Sequence, residues 1–270
     1  MKIFNSDILI KKTSCNCADL PGHQIPPSVN LFAKVTKGCN AHCAFCSNAG
    51  CQSPTSLFDI EKMIRIIYEL KSKGIIVNRM NITGGEPSVV SPLVVRILDA
   101  IDKEHFDDVH LHLNTNGVTM QAQDLMQHPR WDSISMSLHH YDVNRLSDLY
   151  GCEIPAHLLH FTGVDKQKIN FSCNLIKGYI DNKEEVRKML DLTLDTGIRR
   201  IGFVALMPVN SFCKEHFIDI DDIPFAEIPH VYFTGAKDRG NGLQMQQLSL
   251  QQESQDIRDL YAQLCKSTIL

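Results

Sequence analysis

With 270 residues the chain is long enough for one large domain, and α/β barrels routinely build a single core at that length. Its composition, 43% hydrophobic and 21% charged, is ordinary for a globular protein. A formal net charge of −4 excludes the strongly basic balance that a nucleic acid or acidic lipid partner selects. No stretch approaches the roughly 18 uninterrupted apolar residues of a membrane helix, and Met1–Cys15 lacks the apolar core of a signal peptide, so a cytoplasmic protein without a membrane partner is expected.

Residues 1–30 form a short N-terminal arm ahead of a first β-like run, Leu31–Val35. A cysteine-bearing loop follows, then a helix over Leu57–Lys73 with Ile60, Met63, Ile64, Ile67 and Leu70 on one stripe and Ser56 and Asp59 spaced as a capping box. Next come a strand, Ile75–Ile82, and a helix that begins at Ser91, read as its N-cap, with Pro92 in the first turn, and runs toward Lys103. Strands are predicted over Val109–Asn114 and Ser133–Leu138. Tyr141–Lys166 has no clear period and reads as an irregular insertion that could cover a site. Ile169–Ile176 is a fifth strand, Glu184–Thr196 a helix preceded by Asp181 and closed by Gly197, and Arg200–Leu206 a sixth strand. After Leu206 the rhythm stops: Pro208–Gly242 is rich in Pro, Gly and Asp, and Leu243–Leu270 reads as a Gln-rich terminal helix. This βα alternation predicts an α/β fold, a partial six-stranded (β/α)6 barrel over residues 31–206, with the arm before it and a small C-terminal extension, 207–270, as a lid.

Ten cysteines without an export signal read as metal ligands or buried small hydrophobes rather than disulfides. Their spacing is informative in one place, Lys37-Gly38-Cys39-Asn40-Ala41-His42-Cys43-Ala44-Phe45-Cys46, of the form C-x3-C-x2-C on the loop leaving the first strand. Three thiolates can hold three irons of a four-iron cubane and leave the fourth open to an outside ligand, which is what chemistry rather than electron storage requires. Zinc wants four protein ligands; His42 inside the motif and Cys51 beyond it keep that reading in view. Cys15 and Cys17, even with Cys51, lack a fourth ligand and receive no assignment.

The motif, with Phe45 before the last cysteine, resembles the C-x3-C-x-aromatic-C signature of the radical S-adenosylmethionine (SAM) superfamily. Asn81-Ile82-Thr83-Gly84-Gly85-Glu86-Pro87, at the end of the second strand, resembles that family's glycine-glycine-glutamate motif, which engages the amino group of SAM. On physical grounds alone, paired glycines let a backbone approach a ligand and a carboxylate suits an ammonium. Asn114-Thr115-Asn116-Gly117, Ser135-Met136-Ser137-Leu138-His139 and Cys173–Asn182 resemble segments of the molybdopterin-biosynthesis branch. The resemblance implies Cys39, Cys43 and Cys46 as cluster ligands and Phe45, Gly84, Gly85, Glu86, Thr115, Asn116, Ser137 and Asn174 as SAM contacts. That branch carries C-terminal cysteines for an auxiliary cluster, whereas only Cys213 and Cys265 follow Cys173 here, so one 4Fe-4S cluster and SAM are the expected cofactors.

His139 and His140 fall at what should be the open mouth of the barrel, where ligands bind in such folds. His139, Tyr141 beside Asp142, and Asn210 after the sixth strand are candidate substrate contacts by location. The resemblance implies an oxygen-sensitive enzyme that takes an electron from flavodoxin or ferredoxin, cleaves SAM and abstracts hydrogen from a substrate. A single cluster and a short C-terminus favour a small polar metabolite, in a lyase reaction or rearrangement on a modified nucleobase, nucleoside or sugar, a queuine-type deazapurine being one instance. A peptide-modifying maturase is the alternative enzyme, and an iron-sulfur or zinc module without catalysis the alternative of another class. The oligomeric state stays open, with a homodimer as one option.

Overall fold

A computed structural model describes residues 27–47 and 58–228, with four short strands outside them: Lys2–Ile3 paired with Ser6–Asp7, and two near the C-terminal end. Six parallel strands form the sheet that organises the chain: β1 (Ser28–Lys34), β2 (Ile76–Thr83), β3 (His110–Thr115), β4 (Ser133–Ser137), β5 (Ile169–Leu175) and β6 (Arg200–Ala205). Each pairs with the next in sequence order, so every connection is a crossover of the βα type. The sheet does not close on itself. Beyond β6 it continues with two antiparallel strands, β7 (Tyr232–Phe233) and β8 (Met245–Ser249), in the order β6-β8-β7. This is the partial α/β barrel that the sequence predicts.

The two faces of the sheet differ chemically because side chains alternate along a strand. One face carries Met80, Ile82, Leu111, Leu113, Ile134, Met136, Phe171 and Cys173, all fully buried in one continuous core. Helices α1 (Ile60–Ser72), α2 (Ser91–Lys103) and α5 (Lys183–Asp195) contribute Met63, Ile67 and Leu70, then Val94, Ile97 and Ile101, then Val186 and Met189 to that core. The other, concave face is polar: Asn81, His112, Asn114, Ser133, Ser135, Ser137, Asn170, Ser172 and Asn174 alternate with those apolar residues along the same strands. Closed barrels fill their interior with branched apolar side chains. Here the interior is polar, and part of it is satisfied internally: Ser133 Oγ lies 2.7 Å from both His110 Nε2 and His112 Nδ1.

Local signals differ from expectation at several helix ends. Asp59 is itself the N-cap of α1, its carboxylate accepting from the Lys62 amide at 2.9 Å, while Ser56 lies outside the described residues. Ser91 is the first residue of α2 rather than its cap; a 3-10 turn, Pro87–Val90, runs directly into the helix. Asn182 caps α5, accepting from the Glu185 amide, and Asp181 instead accepts from the Gly178 amide. The stretch read as an irregular insertion contains a regular helix, α4 (Val143–Tyr150). Asp142 caps it by accepting from two amides, and Gly151 closes it in the left-handed region at φ 60°. Among the described residues two short helices, α3 (Met120–Met126) and α6 (Ser211–Glu215), complete the set. The expected terminal helix over Leu243–Leu270 is not formed at Met245–Ser249, which pairs with β6 as a strand; the rest of that range lies outside the described residues.

Candidate functional site

The loop after β1 carries Cys39, Cys43 and Cys46, and its backbone is fastened on three sides. Toward β2, the Gly85 amide donates to Thr36 O (2.9 Å) and the Glu86 amide to Gly38 O (2.8 Å). Backbones lie so close here that a Cβ on Gly84 would come within 2.4 Å of Thr36 O, and one on Gly85 within 2.1 Å of Gly38 O. The paired glycines therefore admit the cysteine loop itself, a neighbour that the sequence reading placed as a ligand. Toward α4, the amides of His42 and Ala44 donate to the carbonyls of Tyr150 (2.7 Å) and Leu149 (3.2 Å), two of the orphan acceptors at that helix end. From α6, Asn210 Nδ2 donates to Ala44 O at 3.0 Å, and the Cys213 thiol to Phe45 O at 3.6 Å.

All three cysteines are half-buried free thiols on the wall of one cavity of about 310 Å³. Burial pushes the Cys43 thiol up to about 12, and the neighbouring Cys39 and Cys46 push in the same direction. Cys39 is raised as well, chiefly by burial, with Glu86 and Cys46 adding to it. The raised Cys39 and Cys43 thiols, with Cys46 beside them, fit a cluster whose iron would favour their deprotonated form. Among the described residues no three His, Cys, Asp or Glu side chains converge tightly enough to hold a single metal ion. By ligand count, three cysteines suit a polynuclear cluster with one open iron better than a structural zinc ion, which takes four protein ligands.

Glu86, whose amide is bonded to that loop, lines the same cavity and is only 1% exposed. One carboxylate oxygen accepts from the Thr115 hydroxyl (2.8 Å) and the Ser88 amide (3.0 Å), the other from the Asn116 amide (2.7 Å). Burial nevertheless raises its pKa, the donors opposing the shift without cancelling it. Among the described residues no lysine, arginine or histidine forms an ion pair with Glu86. Asn116 links this carboxylate to the cysteine loop, because its Nδ2 donates to Asn40 Oδ1 at 2.9 Å and points toward Cys39 Sγ at 3.9 Å.

The rest of the wall comes from strand ends. Thr83, Asn114, Ser137, Ser172 and Asn174 supply polar groups, and Val204, Ala205, Leu206, Met207 and Val209 an apolar side. His139 borders the cavity between Phe45 and Tyr150, edge-on to both rings, with centroids 4.7 and 5.6 Å apart.

Of the residues singled out in the sequence, Cys39, Cys43, Cys46, Phe45, Gly85, Glu86, Thr115, Asn116, Ser137, His139 and Asn174 meet at this cavity. Gly84 sits behind it, against Thr36. Tyr141 and Asn210 are not on the cavity wall. The Tyr141 hydroxyl donates to Glu185 Oε2 (2.6 Å) on α5, and both ends of the Asn210 amide are used, one on Ala44 O and the other capping α6 at the Cys213 amide. Wall residues that the sequence reading passed over include Thr83 and Ser172. Strict alternation from Asn81 and Asn174 would have found both. Tyr150 is out of reach of the sequence, which carries no clear helical period over 141–166.

A profile of the Radical SAM superfamily matches residues 33–209. A "Probable GTP 3',8-cyclase" of Saccharolobus solfataricus is 26% identical over 204 residues, covering 73% of this chain and 63% of the relative. One of the same description from Methanococcus aeolicus is 26% identical over 215 residues, covering 72% and 64%. The chain therefore spans a little under two thirds of the length of these relatives. Among solved structures, TYW1 with a lysine-pyruvate adduct bound superposes with a TM-score of 0.60 at 16% identity, covering 89% of this chain and 86% of that one. SuiB of Streptococcus suis bound to S-adenosylmethionine gives 0.53 at 19% identity, covering 68% and 42%. At these identities the likeness is one of fold.

Proposed function

This chain belongs to the radical SAM superfamily, whose proteins use a 4Fe-4S cluster and SAM, and from that premise we propose that it is an enzyme acting on a small polar metabolite. In this reading Cys39, Cys43 and Cys46 hold the cluster and the cavity takes SAM. When bound, the cluster and SAM would supply one-electron chemistry that yields a hydrogen-abstracting agent.

The chain's own residues have definite parts in this proposal. The carrying observation is Glu86, a buried carboxylate with three hydrogen-bond donors and, among the described residues, no ion-pair partner, lining one cavity with three thiols. An ammonium there would supply the missing positive charge, and the α-ammonium of SAM is such a group. Thr115 and the Asn116 amide hold the carboxylate in place for it. Ser137 and Asn174 offer polar groups for the ribose or carboxylate of SAM, and the apolar wall Val204–Met207 excludes water from the side where a purine ring would lie. Residues 207–270 are proposed as the lid, a reading supported by Met207 and Val209 on the wall and by the Asn210 bond to the cysteine loop; residues 1–30 would be an arm ahead of the barrel.

For the substrate we favour a modified nucleobase, nucleoside or sugar, in a lyase reaction or rearrangement, with flavodoxin or ferredoxin as electron donor. The polar concave face leading away from the cavity supports a hydrogen-bonding substrate, and the GTP cyclases among the relatives support a nucleotide-like one. Among the described residues no helix is long and apolar enough to cross a membrane.

The deciding experiment is anaerobic reconstitution with iron and sulfide, reduction, addition of SAM, and measurement of 5'-deoxyadenosine. Wild type should form it, the Cys39→Ala/Cys43→Ala/Cys46→Ala variant should form none and bind no cluster, and Glu86→Gln should keep the cluster while binding SAM more weakly. A variant lacking all three thiols that still assembles a cluster would sink the proposal.

A further inference from the structure

His139 is 5% exposed, and its ring is held in one orientation by the edge-on contacts to Phe45 and Tyr150. The Asn174 amide donates to Nδ1 at 3.0 Å. A ring nitrogen that accepts a hydrogen bond carries no proton, so in the neutral imidazole the proton sits on Nε2. Burial keeps the ring neutral, lowering its pKa to about 3. Nε2 has no hydrogen-bond partner among the described residues. The only sealed side-chain nitrogen or oxygen without a partner there is Oε1 of Gln123. Nε2 therefore reaches open space, and the open space that His139 borders is the cavity. The result is a fixed, uncharged donor pointing where a ligand would lie, and such a group rewards an acceptor and penalises a donor.

Position then narrows the acceptor. If Glu86, at the β2–β3 side, takes the ammonium of SAM, the rest of the molecule must extend across the strand ends toward β5 and β6. There the wall turns apolar at Val204–Met207 and the polar groups thin out. His139 follows β4 and is tied to β5 through Asn174, so it sits beside that half of the cavity. We propose that His139 is a specificity-determining residue whose Nε2–H donates to a ring nitrogen of the adenine of SAM. This rests on the reading of the cavity as a SAM site. It assigns to one side chain the discrimination between a purine edge that accepts a hydrogen bond and one that does not.

The test is equilibrium dialysis, under anaerobic conditions, of SAM and its 1-deaza, 3-deaza and 7-deaza adenine analogues against the reconstituted holoenzyme. Wild type should bind one of the three analogues roughly tenfold more weakly than SAM, the size expected for one buried hydrogen bond. His139→Phe, which keeps a ring against Phe45 and Tyr150, should lose about the same factor for SAM and no longer distinguish that analogue. His139→Gln restores a side-chain N–H and should recover part of both. Melting temperatures of the two variants separate a folding defect from a lost contact. Unchanged SAM affinity in His139→Phe, or an equal loss for SAM and all three analogues, overturns the assignment while leaving the SAM site intact. Failure of wild-type holoenzyme to bind SAM at all overturns both.

Discussion

The two faces of the parallel sheet are built from the same strands and do opposite work. On the outer face Met80, Leu111, Ile134 and Phe171 are fully buried against the helices; one residue along, Asn81, His112, Ser135 and Ser172 look into the barrel. Parallel strands covered on both faces usually read as unbroken apolar runs. The alternation in His-Leu-His-Leu-Asn-Thr and Ser-Ile-Ser-Met-Ser shows that only one face was selected to hold the fold together. The other was left polar and partly open beneath the cavity where the cysteines and Glu86 meet. Stability and chemistry are thus separated by a single step in register, and mutations can test how clean that separation is.

The largest stability effect should come from the outer face. Phe171→Ala empties a fully buried ring site between β5 and the helical layer and should cost about 3–5 kcal/mol in denaturant unfolding. A cost near zero would mean that the outer face does not carry the core. Gly85→Ala should come next, at about 3 kcal/mol, because its Cβ would meet the Gly38 carbonyl, and backbone cannot swing aside as a flexible side chain can. That variant should also lose cluster content on reconstitution, since Gly85 and Glu86 brace the cysteine loop through Thr36 O and Gly38 O.

Where the sequence was legible and where it was not follows from this division. Period-2 alternation marks the six parallel strands to within a few residues, because each has one largely apolar face. The cysteines and Glu86 stand out because their chemistry depends on residue type and spacing, which a sequence displays directly. Helix α4 is hard to read because it is a short eight-residue helix between Asp142 and Gly151, set in a 141–166 stretch with two histidines, one proline and no clear apolar period. Tyr141 and Asn210 were placed at the cavity on loop position alone. Their actual partners, Glu185 and Ala44, are 44 and 166 residues away, and nothing local encodes such contacts.

A smaller effect belongs to the inner face and depends on pH. His112 has its pKa lowered to about 4, first by burial, then by Arg79 and His110, with Asn114 opposing. Because the folded pKa lies below the unfolded value near 6.5, the unfolded chain takes up the proton first as pH falls. Stability should therefore be intact at pH 7 and drain away between pH 6.5 and about 4. The share due to His112 should be about 3 kcal/mol, and His112→Gln should flatten the wild-type slope in that window by this amount. An unchanged slope would show that the ring is better hydrated than its place in the barrel implies.

The smallest expected stability change sharpens the comparison most. Ser135 lies on β4 between Ile134 and Met136, its Cα paired across to Asn114 on one side and Asn170 on the other, with its side chain on the polar face. Ser135→Ala removes one hydroxyl and leaves both apolar neighbours in place, so unfolding free energy should move by no more than about 0.5 kcal/mol. Its neighbour Met136, fully buried on the opposite face, should cost about 2–5 kcal/mol when cut to Ala. The pair differs by one position in sequence and by the face it occupies, so the ratio of the two costs measures directly how far the inner surface has been released from folding. A Ser135→Ala cost approaching that of Met136→Ala would mean that the concave face is packed rather than reserved for a ligand. A negligible cost, with substrate affinity reduced once a substrate is in hand, would place that hydroxyl among the groups that read it.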